Sequence, residues 1–356
     1  MLFAGQPVFA GNAYETVGRR FTFLPLTGFS SDDGIGGGFR LARFDYDGET
    51  VPYRRSFNLQ GFFTAKGKWA HQLKADFPEI TSHSRLEFTI RYDKEETANY
   101  FGDLTDADLA VYTSDEQTYE QVDPYLTIRW ILDLQRPWRL QVRLRTGTTL
   151  ISSHTSARSV IDALAPLGYE GGYLLQLGTS LRYDTRDDYT NSTQGRLDEV
   201  GVEWSFGADG DFNGGELILE HRHFRTVARR LIFAQRFLAN YTMGDIPFYE
   251  RPKLGSSKTL RGLSADRLRD DARILANTEL RWMGMQISGQ NHMFAGMNVF
   301  ADVGQVFPRS KMPSSGDWEL GLGFGIRVYW YSTVVRADLG RSNGGTALYT
   351  RFSQIF

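Results

Sequence analysis

From Trp318 to Trp330 the even positions read Trp318, Leu320, Leu322, Phe324, Ile326, Val328 and Trp330, and the odd positions read Glu319, Gly321, Gly323, Gly325, Arg327 and Tyr329. Successive side chains of a β-strand point to opposite faces, so this alternation predicts a strand with one apolar face and one small or charged face. Strands of soluble sheets average ~5–6 residues. A strand tilted across a bilayer needs ~9–11, with aromatic girdles where it meets the two interfaces. The run is too long for the first case and suits the second.

The pattern recurs. Trp138, Leu140, Val142 and Leu144 oppose Arg139, Gln141, Arg143 and Arg145; Tyr173, Leu175, Leu177, Leu181 and Tyr183 oppose Gln176, Gly178, Ser180 and Arg182; Leu86, Phe88, Ile90 and Tyr92 oppose Arg85, Glu87, Thr89 and Arg91. This explains an odd composition: 25 Phe, 17 Tyr, 7 Trp and 37 Gly in a chain of mean hydropathy −0.37. No apolar run approaches the ~18–20 residues of a membrane-spanning helix, which excludes helical membrane proteins. The formal charge of −2 argues against a nucleic-acid binder, and the absence of Cys excludes disulfides, thiolate metal sites and cysteine nucleophiles. A soluble sandwich would place a solvated face opposite the core and a turn every ~8–12 residues. Lipid outside and water inside accounts better for longer strands with an Arg- and Gly-rich inner face. Closure also satisfies backbone groups that an open sheet would leave unpaired in lipid.

The expected fold is all-β, a sixteen-stranded antiparallel transmembrane barrel, with strands at 19–29, 34–45, 53–65, 68–79, 84–93, 120–133, 138–152, 171–184, 195–207, 214–226, 230–243, 272–284, 292–305, 317–329, 333–340 and 346–356. With both termini periplasmic, the outer loops 94–119, 153–170 and 244–271 are long and most inner turns short, the segment 185–194 excepted. Residues 1–18 read as an N-terminal periplasmic segment and 19–356 as one barrel domain. Val8-Phe9-Ala10 is weak as the end of a signal peptide, since no basic region precedes it.

Several motifs sit at telling places on this frame. The sixth outer loop carries Leu260-Arg261-Gly262-Leu263; strand twelve carries Asn277-Thr278-Glu279-Leu280-Arg281-Trp282; strand thirteen carries Phe300-Ala301-Asp302-Val303-Gly304; and Tyr183-Asp184-Thr185-Arg186-Asp187-Asp188 precedes Gly195-Arg196. Together they resemble the BamA/TamA superfamily of outer-membrane assembly and translocation barrels, the bacterial surface antigens. Pro52 to Phe101 looks like its stand-alone and patatin-associated branch. The resemblance implies that the sixth loop folds into the lumen, where its Arg meets the acidic residue of the strand-thirteen motif, although Leu260 and Leu263 replace the β-branched and aromatic residues usual there. Strand parity agrees: Phe300, Asp302 and Gly304 face inward opposite Met297, Val299 and Ala301, and Glu279 faces inward on strand twelve. Arg261 and Gly262 with Asp302 and Glu279 are therefore the expected loop–lumen lock, ahead of a moving switch. Phe352 and Phe356 look like the terminal signal by which such barrels are recognised for insertion. Family members carry periplasmic POTRA domains or a lipase domain ahead of the barrel; this chain begins at the barrel, so capture by such domains is not carried over.

Other chemistries are thinly supported. His154 with Ser152 and Ser153 would suit a rim hydrolase, and His221 with His223 share a strand face as two metal ligands would. Gly36-Gly37-Gly38 lies within a strand, where glycine marks bending or close packing. Inward Arg91, Arg129, Arg139, Arg143, Arg145, Arg182, Arg273, Arg281, Arg327 and Arg336 are matched by Glu87, Asp184, Glu199, Glu203, Glu279, Asp302, Glu319 and Asp338, as in a wet or plugged lumen. The expectation is an integral bacterial outer-membrane protein acting in protein or lipid insertion or translocation, without cofactor, metal or catalytic residues. Its partners would be outer-membrane lipid and lipopolysaccharide, the barrel-assembly machinery for its own insertion, and a periplasmic protein in trans, with no nucleic acid. A passive pore or structural barrel is the alternative, and a rim hydrolase the third reading.

Overall fold

The computed structural model describes residues 17–50, 52–153, 159–188, 191–208, 211–288, 293–330, 333–352 and 354–356. Sixteen antiparallel strands close into one barrel, each beside its sequence neighbour and the first beside the last. They are β1 Val17–Ser30, β2 Gly34–Asp47, β3 Arg55–Thr64, β4 Lys68–Thr81, β5 Ser84–Asn99, β6 Thr118–Asp133, β7 Trp138–Ser153 and β8 Gly171–Asp184, then β9 Gly195–Gly207, β10 Asn213–Ala228, β11 Leu231–Asp245, β12 Ala272–Ser288, β13 Met293–Phe307, β14 Glu319–Trp330, β15 Thr333–Ser342 and β16 Gly345–Phe352. The expected class and strand number stand. Strand ends differ: β1 begins at Val17, inside the segment assigned to 1–18, while Val8-Phe9-Ala10 and His154 lie outside the described residues.

Period-two sequence becomes two-sided wall. On β14, Phe324 and Ile326 are 57% and 59% exposed on the outer surface, whereas Arg327 between Ile326 and Val328 is fully buried inside. Long outer loops build a small apolar cap: Tyr100, Leu109, Tyr119, Val160, Ile161, Phe248 and Tyr249 cluster there. Two short helices sit in those loops, α1 Asp106–Leu109 and α2 Val160–Leu164, capped by Thr105 and Ser159.

The last strand departs from expectation. It stops at Phe352 rather than running to 356. Phe356 turns in beside Phe224, their ring centroids 6.1 Å apart, and is buried. Gln354 accepts from Arg327 Nε at 3.2 Å and donates to Asn191 of the long inner loop, also at 3.2 Å. Inward polar partners draw the segment off the wall; alternation alone had suggested an aromatic at the girdle.

Candidate functional site

The segment 246–271 between β11 and β12 reaches the inner wall through a two-stranded hairpin, Lys253–Leu254 paired with Leu268–Arg269. Leu254 packs on Leu238 and Leu275, which anchors the loop's stem. Its tip is Leu260-Arg261-Gly262-Leu263, with all four residues buried.

Arg261 donates to both carboxylate oxygens of Asp302, from Nε at 2.7 Å and Nη2 at 2.8 Å, and its backbone N–H reaches Oδ2 at 3.1 Å. Nη1 donates to Glu279 Oε1 at 2.5 Å and to Asp338 Oδ2 at 3.4 Å. The planar fork of a guanidinium suits this three-sided contact, which an ammonium could not reproduce. Its flat face lies 3.4 Å from the Phe300 ring centroid, a cation–π contact in a site without solvent exposure. Asn277 Nδ2 donates to Asp302 Oδ1 at 2.8 Å and to the Thr259 carbonyl at 2.7 Å, so the acidic residue is held from two directions.

The network is wider than one pair. Arg281 Nε donates to Glu279 Oε2 at 2.7 Å; Arg327 Nη1 and Arg336 Nη1 donate to the two oxygens of Asp338 at 2.6 Å each. Guanidiniums of Arg261, Arg281, Arg327 and Arg336 thus outnumber the carboxylates of Glu279, Asp302 and Asp338. Carbonyl oxygens of Ser257, Phe356 and Gln354 accept from Arg336, Arg281 and Arg327, and the Phe356 ring lies 4.9 Å from Arg281 Cζ. These oxygens and a π-face meet guanidinium edges that the three side-chain carboxylates leave over.

Wall glycines make the room. Gly262 has φ +94°, a left-handed conformation that favours glycine, and a Cβ there would lie 2.6 Å from the Arg341 carbonyl carbon. Gly304 faces Leu254, Gly321 faces the Arg261 carbonyl, and Gly323 faces the Phe300 ring. Leu260 and Leu263, the departures from the family motif, are fully accommodated: Leu260 lies against Gly321 and Leu263 against Gly344. The Tyr349 hydroxyl accepts from Gly262 N–H and donates to the Leu263 carbonyl, both at 3.3 Å. Tyr349→Phe is therefore expected to cost about 1 kcal/mol for each hydrogen bond lost, read as a lower urea midpoint.

The loop motif pointed to Arg261 and strand parity to Glu279, Phe300, Asp302 and Gly304; the structure sets Arg261 against Glu279, Asp302 and Phe300, while Gly304 faces the loop stem at Leu254. Parity also placed Arg281, Arg327, Arg336 and Asp338 inward without joining them to Arg261. Tyr349 was missed; its signal was an inward aromatic on the strand beside the seam. His154, on which the hydrolase reading rests, lies outside the described residues. His221 Nδ1 lies 2.5 Å from Asp198 Oδ1 on the outer surface, and no group of metal-ligating side chains occurs among the described residues.

A model of the Omp85 superfamily domain matches residues 56–339. The chain belongs to the Omp85 superfamily. Among solved structures, BamA from Haemophilus ducreyi lacking POTRA domains 1–3 has a similar fold at TM-score 0.64 and 13% identity, over 94% of this chain and 70% of that one. CdiB from Escherichia coli aligns at TM-score 0.63 and 10% identity over 93% of this chain and 62% of that one. CdiB from Acinetobacter baumannii gives 0.56 and 12%, over 94% and 59%. This chain thus spans less than two thirds of either CdiB. No curated protein sequence matches it. The Omp85 chain is an integral barrel of the bacterial outer membrane, of the class related to protein insertion and translocation.

Proposed function

We propose that this Omp85 barrel inserts or translocates protein or lipid at the outer membrane, with periplasmic partners supplied in trans, by lateral opening between β1 and β16. The seam carries the reading. β1 pairs with β2 along its whole length, from Val17↔Asp47 to Ser30↔Gly34. Against β16 its registered pairs among the described residues are Phe29↔Thr350 and Ser30↔Tyr349. Strand edges that are unpaired in lipid are costly, and they template pairing with another strand. A client strand adding to the β1 edge would satisfy them.

What holds the seam is local. Ser31 N–H donates to the Leu348 carbonyl at 3.0 Å, Leu348 N–H to Ser31 Oγ at 3.0 Å, and Thr350 Oγ1 to the Phe29 carbonyl at 3.1 Å. Arg351 Nη2 reaches Asp33 Oδ2 at 2.7 Å, and Lys68 Nζ the other oxygen at 3.1 Å. Burial alone would raise the Asp33 carboxyl, but Lys68 and Arg351 hold it down at about 2, so this staple is charged at neutral pH.

Because the chain has no Cys, Phe29→Cys with Thr350→Cys places a single oxidisable pair across the seam. Folding of a urea-denatured outer-membrane barrel into proteoliposomes is expected to fall to the rate of protein-free vesicles on oxidation and to recover on reduction. A pair across β1 and β2, Phe23→Cys with Leu41→Cys, is expected to keep activity in both states. Full activity of the oxidised seam variant would sink the proposal. A cavity of about 490 Å³ bounded by Lys68, Arg91, Lys258 and Arg351 favours a passive pore as the second reading. A large steady single-channel current, unaltered by Arg261→Ala, would establish it.

A further inference from the structure

The outward face of this barrel is apolar on most strands, down to aromatics such as Trp138 and Tyr183, which pair in register and pack at 5.1 Å. A region that breaks that rule lies on β8–β11. In register beyond Tyr183 comes Asp198, then His221; one step closer to the short-turn end, Arg196 pairs with His223 and His223 with Gln235. Arg225 follows on the same row of β10. Leu217 and Leu219 continue that row toward the outer loops and Val227 toward the turn, so the polar positions form an island in an apolar surface.

The island is held together and remains open. Arg196 Nε lies 3.0 Å from Asp198 Oδ2, and its Cζ sits 4.6 Å from the Tyr183 ring centroid. His221 stands between Asp198 and His223, the two imidazoles stacked at 6.3 Å and 7°. Asp198 is thereby engaged by both Arg196 and His221, whose side chains are 52% and 40% exposed. Arg225 is exposed on the same face, and no ion pair engages its guanidinium among the described residues.

Ionisable groups facing lipid are costly unless a polar partner meets them. At the periplasmic end of an outer-membrane barrel, that partner is a phospholipid headgroup. We propose that this face of β9–β11 binds the phosphate of an anionic phospholipid, with Arg196 and Arg225 as donors. The Tyr183 ring and Leu219 lie alongside for its acyl chains. Asp198 would repel an anion were it not already paired. The occupant is a single phosphate diester with apolar tails, matched by guanidiniums at headgroup depth and apolar wall above them. This proposal is independent of seam opening.

Native mass spectrometry of the purified full chain tests it, with dioleoylphosphatidylglycerol and dioleoylphosphatidylcholine added in equal amounts. Wild type is expected to retain the anionic lipid preferentially. Each basic side chain near a headgroup contributes roughly fivefold, so Arg196→Gln with Arg225→Gln is expected to lose about twenty-five-fold of that preference. Arg196→Lys with Arg225→Lys should keep most of it. Heat-modifiable gel migration checks folding, and Arg225→Gln alone, expected to lose about fivefold, serves if the double variant fails that check. Unchanged preference in a folded Gln variant would overturn the assignment. Displacement of the lipid by equimolar inorganic phosphate would overturn it too, by making this a free-anion site. The seam disulfide leaves this readout unmoved, so the two proposals fail separately.

Discussion

Asp302→Asn is expected to destabilise the folded barrel by about 3–5 kcal/mol, the cost of breaking one partner out of a buried ion network. The substitution keeps the shape and removes the charge. Asp302 accepts Arg261 through both oxygens, the Arg261 backbone N–H and Asn277 Nδ2. An amide in its place presents an N–H₂ to groups that are all donors. The balance also worsens, because Arg261, Arg281, Arg327 and Arg336 would then face only Glu279 and Asp338. Removing a cation instead, by Arg261→Met, leaves equal numbers of each sign and is expected to cost less. Combining the two should recover part of the Asp302→Asn loss, a coupling that only interacting groups show. Urea unfolding followed by Trp fluorescence gives the energies, and amide exchange of residues 257–263 reports whether the loop tip has come away. Equal midpoints for wild type and Asp302→Asn would mean that the network contributes nothing to holding the loop.

Inside and outside were legible in this sequence because parity is local: Asp302 and Phe300 must share a face, whatever strand pairs beside them. The motif on the sixth loop was legible for a similar reason, being contiguous. The full network was not, since it depends on register between strands far apart in the chain. Asn277↔Asp302 and Gly325↔Asp338 bring the two acids to the level of Arg261, and no local pattern specifies those offsets. The C-terminal residues misled for the opposite reason. Leu348 to Phe356 alternates well enough to read as one long strand, yet Gln354 and Phe356 find inward partners in Arg327, Arg281 and Phe224. Tertiary contacts there outweigh the local pattern. The outward island of Arg196, Asp198, His221 and His223 was visible only as two histidines on one face, because Asp198 joins them across strands.

Gly321→Val and Gly340→Val are expected to destabilise the protein, although strand propensity alone predicts the reverse. Valine suits a strand better than glycine does. At Gly321, however, a Cβ would sit 2.3 Å from the Arg261 carbonyl oxygen; at Gly340 it would sit 2.9 Å from Arg261 Cβ and from Gly262 N. Strands β14 and β15 are fixed by ladders on both sides, so the loop tip must yield. Overpacking of this kind typically costs about 1–3 kcal/mol, and losing the Arg261 contacts adds the cost of carboxylates left underpaired. Gly37→Val is the control. It lies within β2, and the nearest atom a Cβ there would meet is the Leu26 carbonyl oxygen at 3.9 Å. It should be neutral or stabilising in the same urea titration, with exchange at residues 257–263 unchanged. If all three variants moved together, propensity would be the governing term and the glycines would have no part in seating the loop. If the two lumen positions fall and Gly37→Val does not, glycine in this wall is there because Arg261 and Gly262 come so close to it.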